Sequence, residues 1–333
     1  MRLPDPRGPL TASLFARLAG TAPNLELPRP GDADPLDDDD LQLALFCAYR
    51  LHYGGFERVD DALEWDPPVI AFRAELERTM LGQLTAELGE PAPLDPGDVS
   101  EAVFAAVEAD EGPPLARYIE RRATLEQFRE FVVHRSAYQL MEADPHTYAL
   151  PRIDGPAKAA MVEIQADEYG GGRFERMHSR MFAVTMLELG LDPEYGAYVG
   201  RLPGSTLATV NLISLFGLRR ALRGALVGHL AGFEISSPGP NRRYSRGLRR
   251  LGFGPPATDF YDEHVEADSV HENIAAYDLA GGLARQEPEL AGQILFGVRA
   301  LLLCEERFAG RLLEGFSAGR GSLLEPSSLP QPG

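Results

Sequence analysis

The chain has 333 residues, 44% of them hydrophobic and 25% charged, an ordinary globular composition with enough apolar material for a large core. The formal net charge of −18, with Lys158 the only lysine among 32 basic residues, repels a phosphate backbone and argues against nucleic acid as a partner. No run approaches the roughly 20 apolar residues of a membrane span, and the opening MRLPDPRGPLTASLFARLAG has no apolar run followed by a small-residue cleavage site. No membrane partner and a cytoplasmic location are therefore expected.

Residues 1–40 are rich in Pro, Gly and Asp and are expected to form a mobile arm holding one short helix near residues 10–19. The arm ends in DPLDDDD, which reads as a solvated helix start because negative charge suits a helix N-terminus. From Leu41 apolar residues recur at three- and four-residue spacing, in LQLALFCAYRLHY, PPVIAFRAELERTMLGQLTAELG and VSEAVFAAVEAD. Pro67 and Pro114 stand near helix starts, where proline is tolerated. This first helical series spans 41–120, and a second, spanning 121–318, runs from TLEQFREFVVHRSAYQLMEAD to EPELAGQILFGVRALLLCEERFAGRLLEGF. No long period-two alternation, hairpin signature or fixed-length repeat appears. Cys47 (LALFCAYRL) and Cys304 (ALLLCEERF) sit in apolar runs and are expected as buried free thiols. Residues 319–333, GRGSLLEPSSLPQPG, read as a disordered tail. The expected fold is all-α.

Chemistry concentrates around a few of the seven histidines, His52, His134, His146, His178, His229, His264 and His271. In DEHVEADSVHENIAAYDLA, His264, Asp268 and His271 stand at i, i+4 and i+7, within roughly 60° of one another on a helix. A stripe at that spacing is more often core, but core stripes favour Leu and Ile, and this segment is otherwise polar. Two imidazoles and a carboxylate on one face suit a divalent first-row metal such as Fe(II). Other helices must supply further carboxylates. In EIQADEYGGGRFERMHSRMF, Glu168 and His178 are ten residues apart, about 15 Å along a straight helix. Gly170, Gly171 and Gly172 between them can break the helix and fold Glu168 back. Glu175, three residues before His178, needs no such break and is the alternative. Glu142, near the end of AYQLMEADP, taken alone reads as a surface acid; Glu234, in GHLAGFEISS, follows an apolar helix where a carboxylate is costly unless paired or metal-bound. The arginines Arg242, Arg243, Arg246, Arg249 and Arg250 either anchor a substrate carboxylate or, the more ordinary reading, pair with the acidic surface.

The motifs HRSAYQLMEADPHT, EIQADEYGGGRFERMHSRMF, GHLAGFEISS with PNRRYSRGLRRLG, and the H-x3-D-x2-H of His264, Asp268 and His271 together resemble the haem-oxygenase-like diiron oxidases and oxygenases, the iron-containing redox enzymes. Within that family they are similar to the central domain of the N-nitrosourea-forming N-oxygenases. LFCAYRLHYGGFERVDDALEWDP looks like the family's auxiliary helices, so the resemblance covers roughly residues 40–318. It implies a haem-oxygenase-like helical bundle over 121–318 preceded by auxiliary helices over 41–120. It also implies two irons per chain, cycling between Fe(II) and Fe(III), with dioxygen as co-substrate and a peroxo-diferric intermediate. Carried over position by position, it implies Glu142, Glu168, His178, His264, Asp268 and His271 as ligands. Glu234 stands where some members supply a further glutamate, and Glu175 stands where other members place theirs. The implied activity is N-oxygenation of an amine, amino acid or guanidine in a biosynthetic pathway, with oxidative C–C cleavage of an amino or fatty acid as the alternative. A non-catalytic helical binding protein is the alternative of another class. An external electron donor, a small-molecule substrate and a homodimer fit this reading.

Overall fold

The computed structural model describes residues 1–22 and 28–325, except that the side chains of Asp268 and Ser269 lie outside the description. In chain order the α-helices are α1 (Pro9–Leu18), α2 (Asp39–Arg50), α3 (Pro67–Leu88), α4 (Val99–Glu108), α5 (Leu115–Arg121), α6 (Leu125–Gln139), α7 (Asp144–Thr147) and α8 (Gly155–Glu168). They continue with α9 (His178–Glu188), α10 (Gly204–Leu218), α11 (Arg223–Ser236), α12 (Pro238–Arg250), α13 (Asp259–Asn273), α14 (Gly281–Gln286) and α15 (Ala291–Ser317). No strand occurs among the described residues, so the fold is all-α, as its periodicity requires. None of these helices is long and apolar enough to cross a membrane.

The segment expected to be a mobile arm is instead seated. Leu10, Leu14 and Leu18 form one buried face of α1. Arg7 Nη2 donates to the Val199 carbonyl at 2.9 Å. The acidic run corrects a second expectation, because it is a capping device rather than a solvated start. Asp38 accepts from the backbone N–H groups of Asp40 and Leu41 and caps α2. Asp39 Oδ1 accepts from Gly204 N at 2.6 Å, at the start of α10. Asp40 accepts from Leu10 N at 2.8 Å and Thr11 N at 2.9 Å, at the start of α1. Three consecutive carboxylates thus satisfy the orphan N–H groups of three helices.

Helix α2 is buried from Leu41 to Tyr49, and its neighbour α10 is buried almost all round. Helices hydrophobic on every face belong at the centre of a large core, and these two share one apolar cluster with α3, α11 and α15. α11 and α15 meet at glycines. A Cβ on Gly228 would lie 1.8 Å from the Ile294 carbonyl oxygen, and one on Gly297 would lie 2.0 Å from that of Ala225. Backbone therefore packs on backbone there, which fixes α11 and the buried side chains it carries. Cys47 and Cys304 are buried and free, as expected, and burial pushes both thiols up.

Between α13 and α14 the chain continues through a π-helical segment, Ile274–Ala280. Wider turns of this kind leave backbone groups short of partners and gather near functional sites; here Ser100 Oγ of α4 donates to the Ala276 carbonyl at 2.9 Å. Of the expected disordered tail, 326–333 lie outside the described residues and 319–325 are docked. Ser322 donates to Glu130, and Leu324 N donates to the Arg201 carbonyl at 2.9 Å.

Candidate metal centre

Six buried side chains from five parts of the chain converge between α6, α8, α9, α11 and α13. Glu142 comes from the turn after α6, Glu168 ends α8, His178 opens α9, Glu234 lies in the last turn of α11, and His264 and His271 lie on α13.

The join from Glu168 to His178 is made by glycine. α8 stops at Glu168, and Gly170, Gly171 and Gly172 take φ of +64°, +60° and +77°, a region that costs an L-residue with a Cβ. A Cβ on Gly170 would stand 2.5 Å from the carbonyl carbon of Arg176, so the returning chain crosses directly over this residue. The reversal brings Glu168 Oε2 within 2.9 Å of His178 Nδ1. Glu175, the alternative that assumed a straight helix, lies away from these donors: the reversal turns its side chain outward, 78% exposed and 3.7 Å from Arg180.

Helix α13 places His264 and His271 in the two donor groups. His264 Nδ1 donates to the Phe260 carbonyl at 2.7 Å, which leaves Nε2 directed inward, 3.6 Å from Glu142 Oε2. The bond to the Phe260 carbonyl sets the tautomer a metal ligand needs. The His178 and His264 rings lie 4.4 Å apart. His271 Nδ1 lies 3.4 Å from Glu234 Oε2, and its Nε2 lies 3.2 Å from Asp167 Oδ2 at the site's edge. Asp268, between the two histidines on the same helix, has its side chain outside the description.

Among the described residues, donor atoms fall into two groups, each within 4.8 Å: Glu142, Glu168, His178 and His264 in one, Glu168, Glu234 and His271 in the other. Glu168 belongs to both. The contacts inside the groups are close but poorly formed as hydrogen bonds. Glu168 Oε2, His178 Nδ1 and His271 Nδ1 are buried without a hydrogen-bond partner of proper geometry. Buried polar atoms ordinarily find such partners; atoms that face one another without doing so are arranged for an ion between them. Three carboxylates with three imidazoles are the donors of divalent iron-type sites, and anionic ligands offset the metal charge. On this test the residues fit the binding of iron.

Electrostatics agree. Burial pushes the Glu142 and Glu234 carboxyls up. Burial acts the same way on Glu168, but the facing His178, with His264 and His271, more than offsets it and holds this carboxyl below its usual range. Burial opposes charge on His271, yet Glu234, Glu168 and Asp167 raise it to about 9. Without metal, protons supply the positive charge the carboxylates require.

Other sequence candidates lie elsewhere. His52 is held by Glu64 at 3.0 Å and by Arg73, away from the cluster. Arg243 and Arg246 pair with Glu120, and Arg249 pairs with Asp262, so this arginine group serves the surface. Sequence reasoning did not single out Gln139, whose amide nitrogen, correctly oriented, donates to Glu142 at 3.0 Å. It also passed over Tyr138 and His146, which line a cavity of about 10 Å³ against Glu142, Glu168 and Glu234. Gln139 stands only three residues before Glu142, whereas Tyr138 and His146 gain their place from contacts across the fold.

The sequence model of a family described as iron-containing redox enzyme matches residues 129–306, more than half of the chain. The chain is also similar to a nitrosourea synthase of Streptomyces achromogenes subsp. streptozoticus, 29% identical over 136 residues, 41% of this chain. That match spans 29% of the relative's length.

Proposed function

The chain belongs to the iron-containing redox enzyme family, and from that premise we propose that it is a non-haem diiron oxygenase that adds oxygen to the nitrogen of a small amine, amino acid or guanidine. The observation that carries the reading is Glu168, a buried carboxylate common to two donor groups. A carboxylate shared in this way would serve both metals of a pair. Glu142, His178 and His264 would complete the first iron site. Glu234 and His271 would complete the second, to which the resemblance adds Asp268.

Two ferrous ions, when bound, supply electrons to dioxygen, and an external donor restores them after turnover. The chain's own residues do the rest. Gln139 orients Glu142, and the Phe260 carbonyl orients His264. Burial of all six side chains excludes bulk water, and the cavity of about 10 Å³ beside them has room for about one molecule of water size. The relative's name, nitrosourea synthase, denotes a product with a nitrogen–oxygen bond, which supports nitrogen as the atom oxidised.

The test is to load the protein anaerobically with Fe(II), add candidate amines and admit ¹⁸O-labelled dioxygen. Mass spectrometry is expected to find one labelled oxygen on the substrate nitrogen. Release of a carbon fragment instead moves the assignment to C–C cleavage, and no label in any product contradicts an oxygenase.

A further inference from the structure

We infer that the molecule oxidised at this site is a small organic amine cation that carries no carboxylate, bound in the cavity on the far side of His264. The inference rests on the diiron reading and specifies its substrate. The cavity measures about 250 Å³, and its inner end is reached by His264 and Gln139. It is smaller than the roughly 300–1,000 Å³ of sites for drug-sized ligands. Phe233 and His264 line both this cavity and the small one against Glu168 and Glu234. A molecule within it therefore lies one side chain from the metal cluster.

Charge decides what enters. Asp110, Glu305 and Glu306 line the cavity, against Arg135 as its cation. Arg135 is spent: its Nη1 and Nη2 donate to the two Glu305 carboxylate oxygens at 2.7 Å each, and its guanidinium lies 4.2 Å over the Phe308 ring. Asp110 and Glu306 make no ion pair among the described residues. Burial pushes the Asp110 carboxyl up, and the Glu305 charge adds to that; a cation would relieve both. A substrate carboxylate would face these like charges with no free guanidinium to receive it.

A second, independent feature points to a ligand. The Tyr261 side chain lines the cavity, the residue is 2% exposed, and its hydroxyl has no hydrogen-bond partner. A buried hydroxyl left alone is costly, and it can accept from an ammonium. Phe131, Phe182 and Tyr244 give the cavity aromatic walls, which favour a cation and cover an apolar stem.

Matched pairs differing by one carboxylate make the test: agmatine against arginine, and cadaverine against lysine, titrated calorimetrically into iron-free and anaerobically iron-loaded protein. Agmatine and cadaverine are expected to bind at least about tenfold more tightly than their partners, with affinity falling as salt rises. Asp110→Asn and Glu306→Gln, both at exposed positions, should each weaken the amines by up to about fivefold. Tyr261→Phe should weaken them severalfold while iron content stays unchanged. Equal or tighter binding of the amino acids overturns the inference, as does no saturable binding of either amine, or unchanged affinity in all three variants. Iron content separates the two readings. Two irons with amino acids preferred sinks this inference alone; a preference for amines in protein that takes up no iron sinks the diiron reading instead.

Discussion

Two sets of buried histidines sit within one bundle, and they differ in what faces them. His178, His264 and His271 look at carboxylates. His134, His146 and His229 hydrogen-bond neutral groups, although His146 also lines the small cavity beside Glu168: His134 bonds Thr206 at 2.7 Å and Ser322 at 2.9 Å, and His146 Nε2 lies 3.0 Å from His229 Nδ1. Burial is the same in both sets. In the neutral set burial drives His134 down to about 3 and His146 to about 4, so these rings stay uncharged. In the other set carboxylates outweigh burial and raise His178 and His271. Burial of a histidine therefore marks packing, and the partner decides whether it marks a cation site.

The largest expected contrast is in iron. His178→Ala, His264→Ala, Asp268→Ala and His271→Ala should each empty at least one iron position, and Glu168→Ala, which removes the shared carboxylate, should empty both. Turnover should fall by orders of magnitude in all five. His134→Ala and Glu175→Ala should keep full iron. Elemental analysis of variants loaded side by side checks this, and iron retained by Glu168→Ala while lost from Glu175→Ala breaks the comparison.

Next comes the turn that joins the donor groups. Gly170→Ala imposes a Cβ on a φ of +64°, 2.5 Å from backbone. It should cost about 2 kcal/mol or more and part Glu168 from His178, read as a lowered melting temperature together with reduced iron. A variant with full iron and unchanged stability would refute the role given to the glycines.

The two sets should also respond oppositely to pH. An unfolded histidine titrates near 6.5. For His134 and His146, whose folded values lie near 3 and 4, the unfolded chain binds more protons between those values and 6.5. Their contribution is full above about pH 6.5 and is lost in acid, by a few kcal/mol. His271, raised to about 9, contributes below about pH 6.5, and iron-free protein loses that contribution as pH rises toward 9. Iron takes the place of that proton, so loading should remove the alkaline loss and leave the acid loss. Melting curves against pH, with and without iron, sharpen or break the distinction.

The smallest expected effect is on the fold itself. The helices bury their apolar faces around α2 and α10 without help from the cluster, so chelation should leave circular dichroism nearly unchanged. Loss of most helicity would make the metal part of the fold.

How much was legible in the sequence follows from range. The helical fold and the α13 histidines are local matters of period, and both were readable. The pairing of Glu168 with His178 was readable only because three glycines offered a way to break a helix. The choice between Glu168 and Glu175 stayed open, since it turns on the path of the chain through Arg173–Met177. Glu234 was half legible, as an expensive carboxylate beside an apolar helix. Asp39 and Asp40 looked like solvated acids because the helix ends they cap are brought in from distant sequence, whereas the cap Asp38 makes on α2 is local. Tyr138 and His146 were invisible for the same reason, while Gln139 was passed over although it lies only three residues from Glu142.

The central claim is that Glu168 joins two donor groups into one dinuclear site. Counting iron per chain after anaerobic loading tests it most directly, in the parent protein and in Glu168→Ala. The account predicts about two in the parent and none in the variant. One tightly held zinc in the parent, or one ion retained by the variant, would contradict it.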